Sequence, residues 1–352
     1  MSRRLFFKIF VFLTGLVIVI SRLTMIFTIK EQPVGPNVNY LITPNELCEK
    51  QDGFYGLEKN SLDVVFIGSS NIHCNINPNV IWNSFGITSY DFSCDQQELG
   101  TSYYYLQQVF ETQKPKVVVV DIMGNGEQDE IDNTRAHFAF DHMKNDIYKY
   151  KAIWNRTKSA RLEMMFPLIA YHDRWKELTQ NDYQYIPNQY NILKGAFIYM
   201  TANECERPQI PTEIPVSELP EKTKYWIEAI QELCNEHECK CLFIKAPYSF
   251  YEDSWFSYFN AFEDYCVDKG FSFINLNKYV DDMGISFATD FSDGMHMNWE
   301  GQQKLSIYIG DYLVKHYSLE DKRGVTDYSK WDDDYLEMTN LIDDFWDIYN
   351  NM

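Results

Sequence analysis

Between residues 61 and 122 the chain writes three short apolar runs, each stopped by small or polar residues. "DVVFIGSSN" carries Val64 to Ile67 into Gly68, Ser69 and Ser70, "TSYDFS" ends near Ser93, and "KPKVVVVDI" runs to Ile122. Apolar runs of this length without alternation are how strands buried on both faces read. Helix-length stretches separate them, a Pro-started turn over 78–85 and a Tyr- and Leu-rich segment over 99–112. Strands alternating with helices predict βαβ units in a parallel sheet. Open α/β sheets bind ligands at the carboxyl ends of their strands, which gives Ser69 and Ser70 a chemical reading. The plainer reading is a turn with Ser as a helix N-cap.

The pattern returns further on, with a helix at 221–236, a strand at 241–244, a helix at 250–269, a strand at 271–276 and a closing helix at 298–317. From 125 to 220 it lapses, leaving helical stretches at 148–165 and in "FPLIAYHDRWKEL", so this segment is expected to be a large insertion in one α/β domain. The last stretch, "KWDDDYLEMTNLIDDFWDIYNNM", reads as an acidic, aromatic amphipathic helix that packs on the body. The expected division is an apolar segment at 1–29, a linker at 30–60, the α/β domain at 61–317 and a tail helix at 318–352.

Arg3, Arg4 and Lys8 precede an uncharged run from Ile9 to Ser21, and apolar character continues past Arg22 to Ile29. A basic flank followed by an apolar core is an export signal. A span needs about 20 residues, so Leu5–Ile29 can cross a bilayer if Lys8 and Arg22 snorkel to the interfaces. No small-x-small cleavage pattern precedes Lys30, so a retained single-pass anchor in the cell membrane is expected. The positive-inside rule then leaves the rest of the chain outside the cytoplasm. A cleaved signal peptide is the alternative and leads to the same compartment.

Thirty-one basic against fifty-one acidic residues give a net charge of −20, whose general field repels nucleic acid and anionic lipid. No nucleic-acid partner is expected. The eight cysteines are irregularly spaced. In "CNEHECKC", Cys234, His237, Cys239 and Cys241 superficially offer four zinc ligands, but they belong to a helix end and a strand start with almost no loop between them. No metal is expected, and a local Cys234–Cys239 bridge or free thiols is the better reading. A Cys74–Cys94 pairing stays open.

The second informative stretch is "DFSDGMHMNWEGQQKL", a polar loop before the closing helix, with Asp293 and His296 three residues apart. Serine-nucleophile hydrolysis needs an imidazole to accept the serine proton and a carboxylate to fix its tautomer. D-x-x-H alone is common by chance. Together with a Gly-Ser-Ser at a strand end in the same domain, it points to that chemistry.

The pair "FIGSSN" and "DGMHMNWEGQQKL" resembles the first and last blocks of the SGNH (GDSL-like) hydrolases, over Ser61 to Tyr317. In particular it looks like the membrane-anchored bacterial branch related to the teichoic-acid D-alanine-transfer protein and the alginate O-acetylation proteins. The resemblance implies a three-layer α/β/α flavodoxin-like sandwich, with Ser70 as nucleophile, His296 as base and Asp293 orienting it, and no cofactor. It further implies an oxyanion hole from the N–H groups of Ser70 and Gln96 and the side chain of Asn125. The family's second-block glycine is replaced here by Gln96, and its third block is matched poorly by "DIMGNGE". "YHDRW" offers His172, Arg174 and Trp175, similar to a stretch of the anchored branch. Arg174 could clamp an anion and Trp175 stack on a sugar, or Arg174 could pair with an acid and Trp175 sit in the core. His73 is either a substrate contact or a structural hydrogen-bond partner. Asp121 and Asp141 read equally as surface or strand-end acids, and Tyr103 to Tyr105 as core.

Three functions remain. The first is an extracytoplasmic serine acyl-ester hydrolase or O-acyltransferase acting on an acylated carbohydrate or cell-wall polymer, with a membrane-bound O-acyltransferase as its implied partner. The second is a non-catalytic SGNH-like module that binds glycan or assists such a transferase. The third is a receiver-like or nucleotide-binding domain, for which "DIMGNG" after a strand is the sole hint; a phosphate loop needs glycines absent here.

Overall fold

The computed structural model describes residues 2–30, 40–41, 50–123, 126–186, 189–209, 213–214, 217–249 and 253–351. In chain order the elements are α1 (Arg3–Phe27), α2 (Lys50–Tyr55), β1 (Val64–Ile67), α3 (Ser70–His73), α4 (Pro78–Phe85), β2 (Ser89–Asp91), α5 (Leu99–Thr112) and β3 (Val117–Asp121). The insertion follows as α6 (Asn133–Phe140), α7 (Ile147–Arg156), α8 (Arg161–Met165), α9 (Leu168–Tyr171), a 3-10 turn (His172–Lys176) and α10 (Gln180–Gln184). The chain then returns through α11 (Glu221–Glu236), β4 (Lys240–Lys245), α12 (Asp253–Lys269), β5 (Ser272–Asn275), α13 (Trp299–His316) and α14 (Ser329–Asn350).

The five strands form one parallel sheet in the order β2-β1-β3-β4-β5. That is the flavodoxin-like order, with helices on both faces. Alternation along each strand assigns the faces: Val65, Ile67, Val118, Val120 and Phe243 point to the layer of α5, α11 and α12. Val64, Phe66, Val119, Leu242 and Ile244 point to the layer of α4 and α13. Both faces are covered, which is why β1 and β3 contain no polar alternation.

Local chemistry sets the helix ends. Asn77 caps α4 by accepting from the N–H groups of Asn79 and Val80, Pro78 takes the first position, and Gly86 closes the helix at φ +67°. The helical stretch expected over 148–165 is broken between α7 and α8, because Glu130 collects the N–H groups of Lys158 (2.7 Å) and Ser159 (2.6 Å) and fixes a turn there. Part of the expected linker is ordered as α2, whose Phe54 stacks on Phe92 with ring centroids 4.0 Å apart.

α1 has no buried residue among its 25 and is apolar and long enough to cross a membrane. α14 lies on the body through buried Trp331, Met338 and Ile342. Its Asp334 pairs with Lys194, both fully buried, and Tyr190 donates to the same carboxylate. Burial lowers the Lys194 amine to about 8 against the pull of Asp334. Removing one member of a buried ion pair strands the other charge, at about 3–5 kcal/mol. Asp334→Ala is therefore expected to destabilise the full chain by about that amount, read as a lowered midpoint in urea unfolding.

Candidate active site

β1 ends at Gly68, where a side chain has no room: a Cβ there would lie 2.6 Å from the Asp121 Cβ at the end of β3. The next residue, Ser69, caps α3, accepting from Asn71 N–H at 3.3 Å and donating to the Asp121 carboxylate at 2.8 Å. Asn71 reaches the same carboxylate and the Tyr248 hydroxyl. Burial raises the Asp121 carboxyl above its usual range, opposed by Lys245 and by the Ser69 and Asn71 hydrogen bonds. Two strand ends are thus bolted together directly beneath α3, whose first residue is Ser70.

From the other end of the domain, the loop before α13 brings His296 to Ser70. The Ser70 Oγ lies 2.8 Å from His296 Nε2, and His296 Nδ1 lies 2.8 Å from Asp293 Oδ2. Asp293 Oδ1 accepts from the N–H groups of Met295 (2.8 Å) and His296 (2.9 Å), so one carboxylate shapes the loop and orients the ring. Burial opposes ionisation of Asp293, but His296 and these two N–H groups outweigh it and hold the carboxyl below the usual range. Tyr199 packs against the imidazole with ring centroids 5.9 Å apart. Burial, with Cys74, Asp293 and Asp95 nearby, pushes the Tyr199 phenol well above its ordinary value.

The approach is enforced by Asn75, which is fully buried five positions after the serine. Its Oδ1 accepts from Met297 N–H at 2.7 Å and its Nδ2 donates to Met295 O at 3.4 Å, so one side chain grips both neighbours of His296. Asn77 and Gln302 extend the grip: Asn77 N–H donates to Ser306 Oγ at 2.8 Å, and Gln302 Nε2 donates to the carbonyls of His73 (3.2 Å) and Phe197 (3.0 Å).

A third wall comes from the loop after β2. Gln96 sits there at φ +53°, a left-handed conformation that costs a non-glycine residue on the order of 1 kcal/mol. Arg135 on α6 holds its side chain, donating from Nε to Gln96 Oε1 at 3.0 Å and from Nη1 to Glu98 at 2.7 Å. His73 lies 2.8 Å from Ser93 Oγ through Nδ1 and 3.2 Å from Asp95 through Nε2. Burial works against a charged Asp95, yet the hydrogen bond and charge of His73, with Lys50 and His296, hold it far below the usual carboxylate range. His73 therefore ties α3 to the loop that carries Gln96. Ser70, Gln96 and His296 line a cavity of about 550 Å³, with Tyr199, Trp255 and Phe138 among its aromatic walls. As the first residue of α3, Ser70 has an N–H without an intrahelical partner.

The structure moves three of the expected site residues elsewhere. His172, Arg174 and Trp175 do not line the cavity. Arg174 donates to the Phe27 carbonyl at the end of α1 and pairs with Asp182 at 3.4 Å. The last carbonyls of a helix lack intrahelical partners and attract cations, and that demand captures the guanidinium. His172 turns back to Ile169 O at 2.9 Å, and Trp175 is exposed, not core. Asn125 lies outside the described residues. Asp141 joins His137 and Tyr171, and Tyr104 and Tyr105 are core. Cys94, Cys234, Cys239 and Cys241 are free thiols, so neither a Cys74–Cys94 nor a Cys234–Cys239 bridge forms, and His237 stacks on Phe110 with centroids 4.1 Å apart.

Several site residues escaped the sequence reading: Asn75, Asp95, Arg135, Tyr199 and the Ser69–Asp121 bolt. The polar run "NINPN" after the serine was the available sign of the first, since asparagines spaced in a chain otherwise heading for the core must find partners.

No family model matches the chain, and no curated protein matches it. Among solved structures it is similar to a protein described as lipolytic, of the G-D-S-L family, from Desulfitobacterium hafniense DCB-2, at 13% identity over 70% of this chain and 97% of that one, with a TM-score of 0.38. It is also similar to an extracellular lipase from Streptomyces rimosus, at 14% identity over 72% of this chain and 99% of that one, with a TM-score of 0.27.

Asn75→Ala leaves the Met297 N–H buried without its partner, which costs about 1–3 kcal/mol. It also releases the loop that places His296, and small misplacements slow a reaction on the order of 10²-fold. The variant is expected to show both losses, in thermal unfolding and in the rate at which Ser70 reacts with a fluorophosphonate.

Proposed function

We propose that this chain is an extracytoplasmic serine acyl-ester hydrolase or O-acyltransferase, held in the cell membrane by α1, that acts on a cell-surface glycan or related polymer through an acyl-serine intermediate. The observation that carries the reading is the unbroken series from Ser70 Oγ through His296 to Asp293, with both contacts at 2.8 Å. It has the connectivity of a nucleophile, a base and a carboxylate that orients the base.

In the proposed reaction His296 Nε2 takes the Ser70 proton as Oγ attacks the ester carbonyl. The oxyanion accepts from the N–H groups of Ser70 and Gln96; losing one such donor costs about 3–4 kcal/mol elsewhere, so the loop behind Gln96 matters. The charged Asp293 stabilises the imidazolium while it exists. Collapse expels the alkoxide, which takes the proton from His296 Nε2 and leaves the acyl group on Ser70. Water or a glycan hydroxyl then gives its proton to His296, attacks the acyl-serine and restores the free hydroxyl. No cofactor enters the cycle. Aromatic walls such as Tyr199 and Trp255 suit the faces of sugar rings. The partner we propose is a membrane-bound O-acyltransferase, a reading that rests on the sequence resemblance to the anchored branch.

The test is intact-protein mass spectrometry of the full chain after exposure to an acetylated glycan. A single added acetyl group that maps to Ser70 and vanishes in Ser70→Ala is expected. Asp293→Asn should slow its formation on the order of 10⁴-fold, by leaving the imidazole in the wrong tautomer. Ester cleavage that continues unchanged in Ser70→Ala contradicts the proposal. Free acetate without an acetylated acceptor marks the hydrolase, and acetyl appearing on a second glycan marks the transferase.

A further inference from the structure

The insertion carries a surface that the site does not use. Among residues 147–176, Lys151, Lys158, Arg161 and Lys176 are the basic side chains left on the surface beside Glu163 and Asp173, in a chain whose net charge is −20; Lys149 and Arg156 are buried and Arg174 is held by α1 and Asp182. On the same stretch Trp154 is 58% exposed, Leu162 66%, Phe166 56%, Ile169 49% and Trp175 64%. Water-facing surfaces rarely keep so many large apolar side chains together. Cations accompany the rings: the Arg161 guanidinium lies 4.1 Å from the centroid of Trp154, and Lys176 Nζ lies 5.0 Å from that of Trp175. Basic residues beside tryptophan and aliphatic groups make the composition of a segment lying at a lipid interface.

This surface is continuous with the end of α1. Arg174, next to Trp175, donates to the Phe27 carbonyl, and Arg22 on α1 donates to the Tyr183 carbonyl of α10 at 3.0 Å. Lys30 folds back on the Ile26 and Thr28 carbonyls (3.0 and 2.7 Å) and sits 3.6 Å from buried Asp182. His142, just after α6, lies 2.8 Å from the Ile29 carbonyl. The insertion is therefore fastened to the last turn of the helix at several points. A helix that spans a bilayer must bring whatever is fastened there to the headgroups.

We infer that the face formed by α7 to α9 and the following 3-10 turn is a second membrane contact, seated on an anionic lipid surface beside α1. The inference rests on α1 spanning the bilayer rather than being removed as a signal. It also sets the height of the cavity. α6 lines the cavity with Arg135 and Phe138, and its His137 lies 2.7 Å from the Tyr171 hydroxyl of α9. One helix, about 10 Å thick, thus separates the cavity from the lipid-facing elements.

The experiment uses the full chain in nanodiscs of anionic phospholipid with and without bromine placed high on the acyl chains. The emission of Trp175 is isolated as the difference between wild type and Trp175→Phe, and that of Trp154 likewise. Both components are expected to be blue-shifted and quenched by the brominated lipid. The quenching should fall in zwitterionic discs and in the Arg161→Glu, Lys176→Glu double variant. Components that emit as in water and ignore the bromines in anionic discs overturn the inference, including the case where they become shielded only after a membrane-protein partner is added. Neither readout depends on Ser70, so this test can fail while the acyl-serine reading stands.

Discussion

The meeting of Ser70 with His296 depends on one buried polar clamp. Asn75 holds the backbone on both sides of His296, and Asn77 and Gln302 hold the segments behind it. These side chains are enclosed, so each must find partners or leave a polar group stranded. The arrangement that brings the loop before α13 onto the segment after β1 supplies those partners. The clamp therefore specifies a register between regions more than two hundred positions apart, and the 2.8 Å contact of Ser70 with His296 follows from it.

The sheet order explains why these groups meet at this point. With β1 inside the sheet between β2 and β3, its carboxyl end is adjacent to two other strand ends. β3 contributes Asp121, which fixes Ser69, and the loop after β2 contributes Asp95 and Gln96. Gly68 is needed because β1 and β3 approach too closely for a side chain. The insertion adds Arg135 and Phe138 as an outer wall, and through its far side couples that wall to the end of α1.

What could be read in the sequence was what is encoded locally. The strands of the sheet announced themselves by unbroken apolar runs, and Ser70, Asp293 and His296 by short motifs at strand and helix ends. Arg174 takes the acid partner that the sequence left open, Asp182, but its other partner, the Phe27 carbonyl, is a backbone group some 150 positions earlier and has no sequence signature. The α7–α8 break was hidden for a similar reason, since Glu130 makes the turn from outside it. Asn75 was passed over because a polar run after a serine resembles a loop until its buried partners are seen. The overall charge of −20 concealed a local stretch of opposite sign, because net charge describes the distant field and not one face.

The proposed acyl-serine reaction requires that His296 activate Ser70. That is measured by the second-order rate at which a fluorophosphonate modifies Ser70 in wild type and in His296→Ala across a range of pH. A general base contributes on the order of 10²–10⁴-fold, so the variant should be slower by that factor. Equal rates in the two proteins, or modification of a residue other than Ser70, would contradict it.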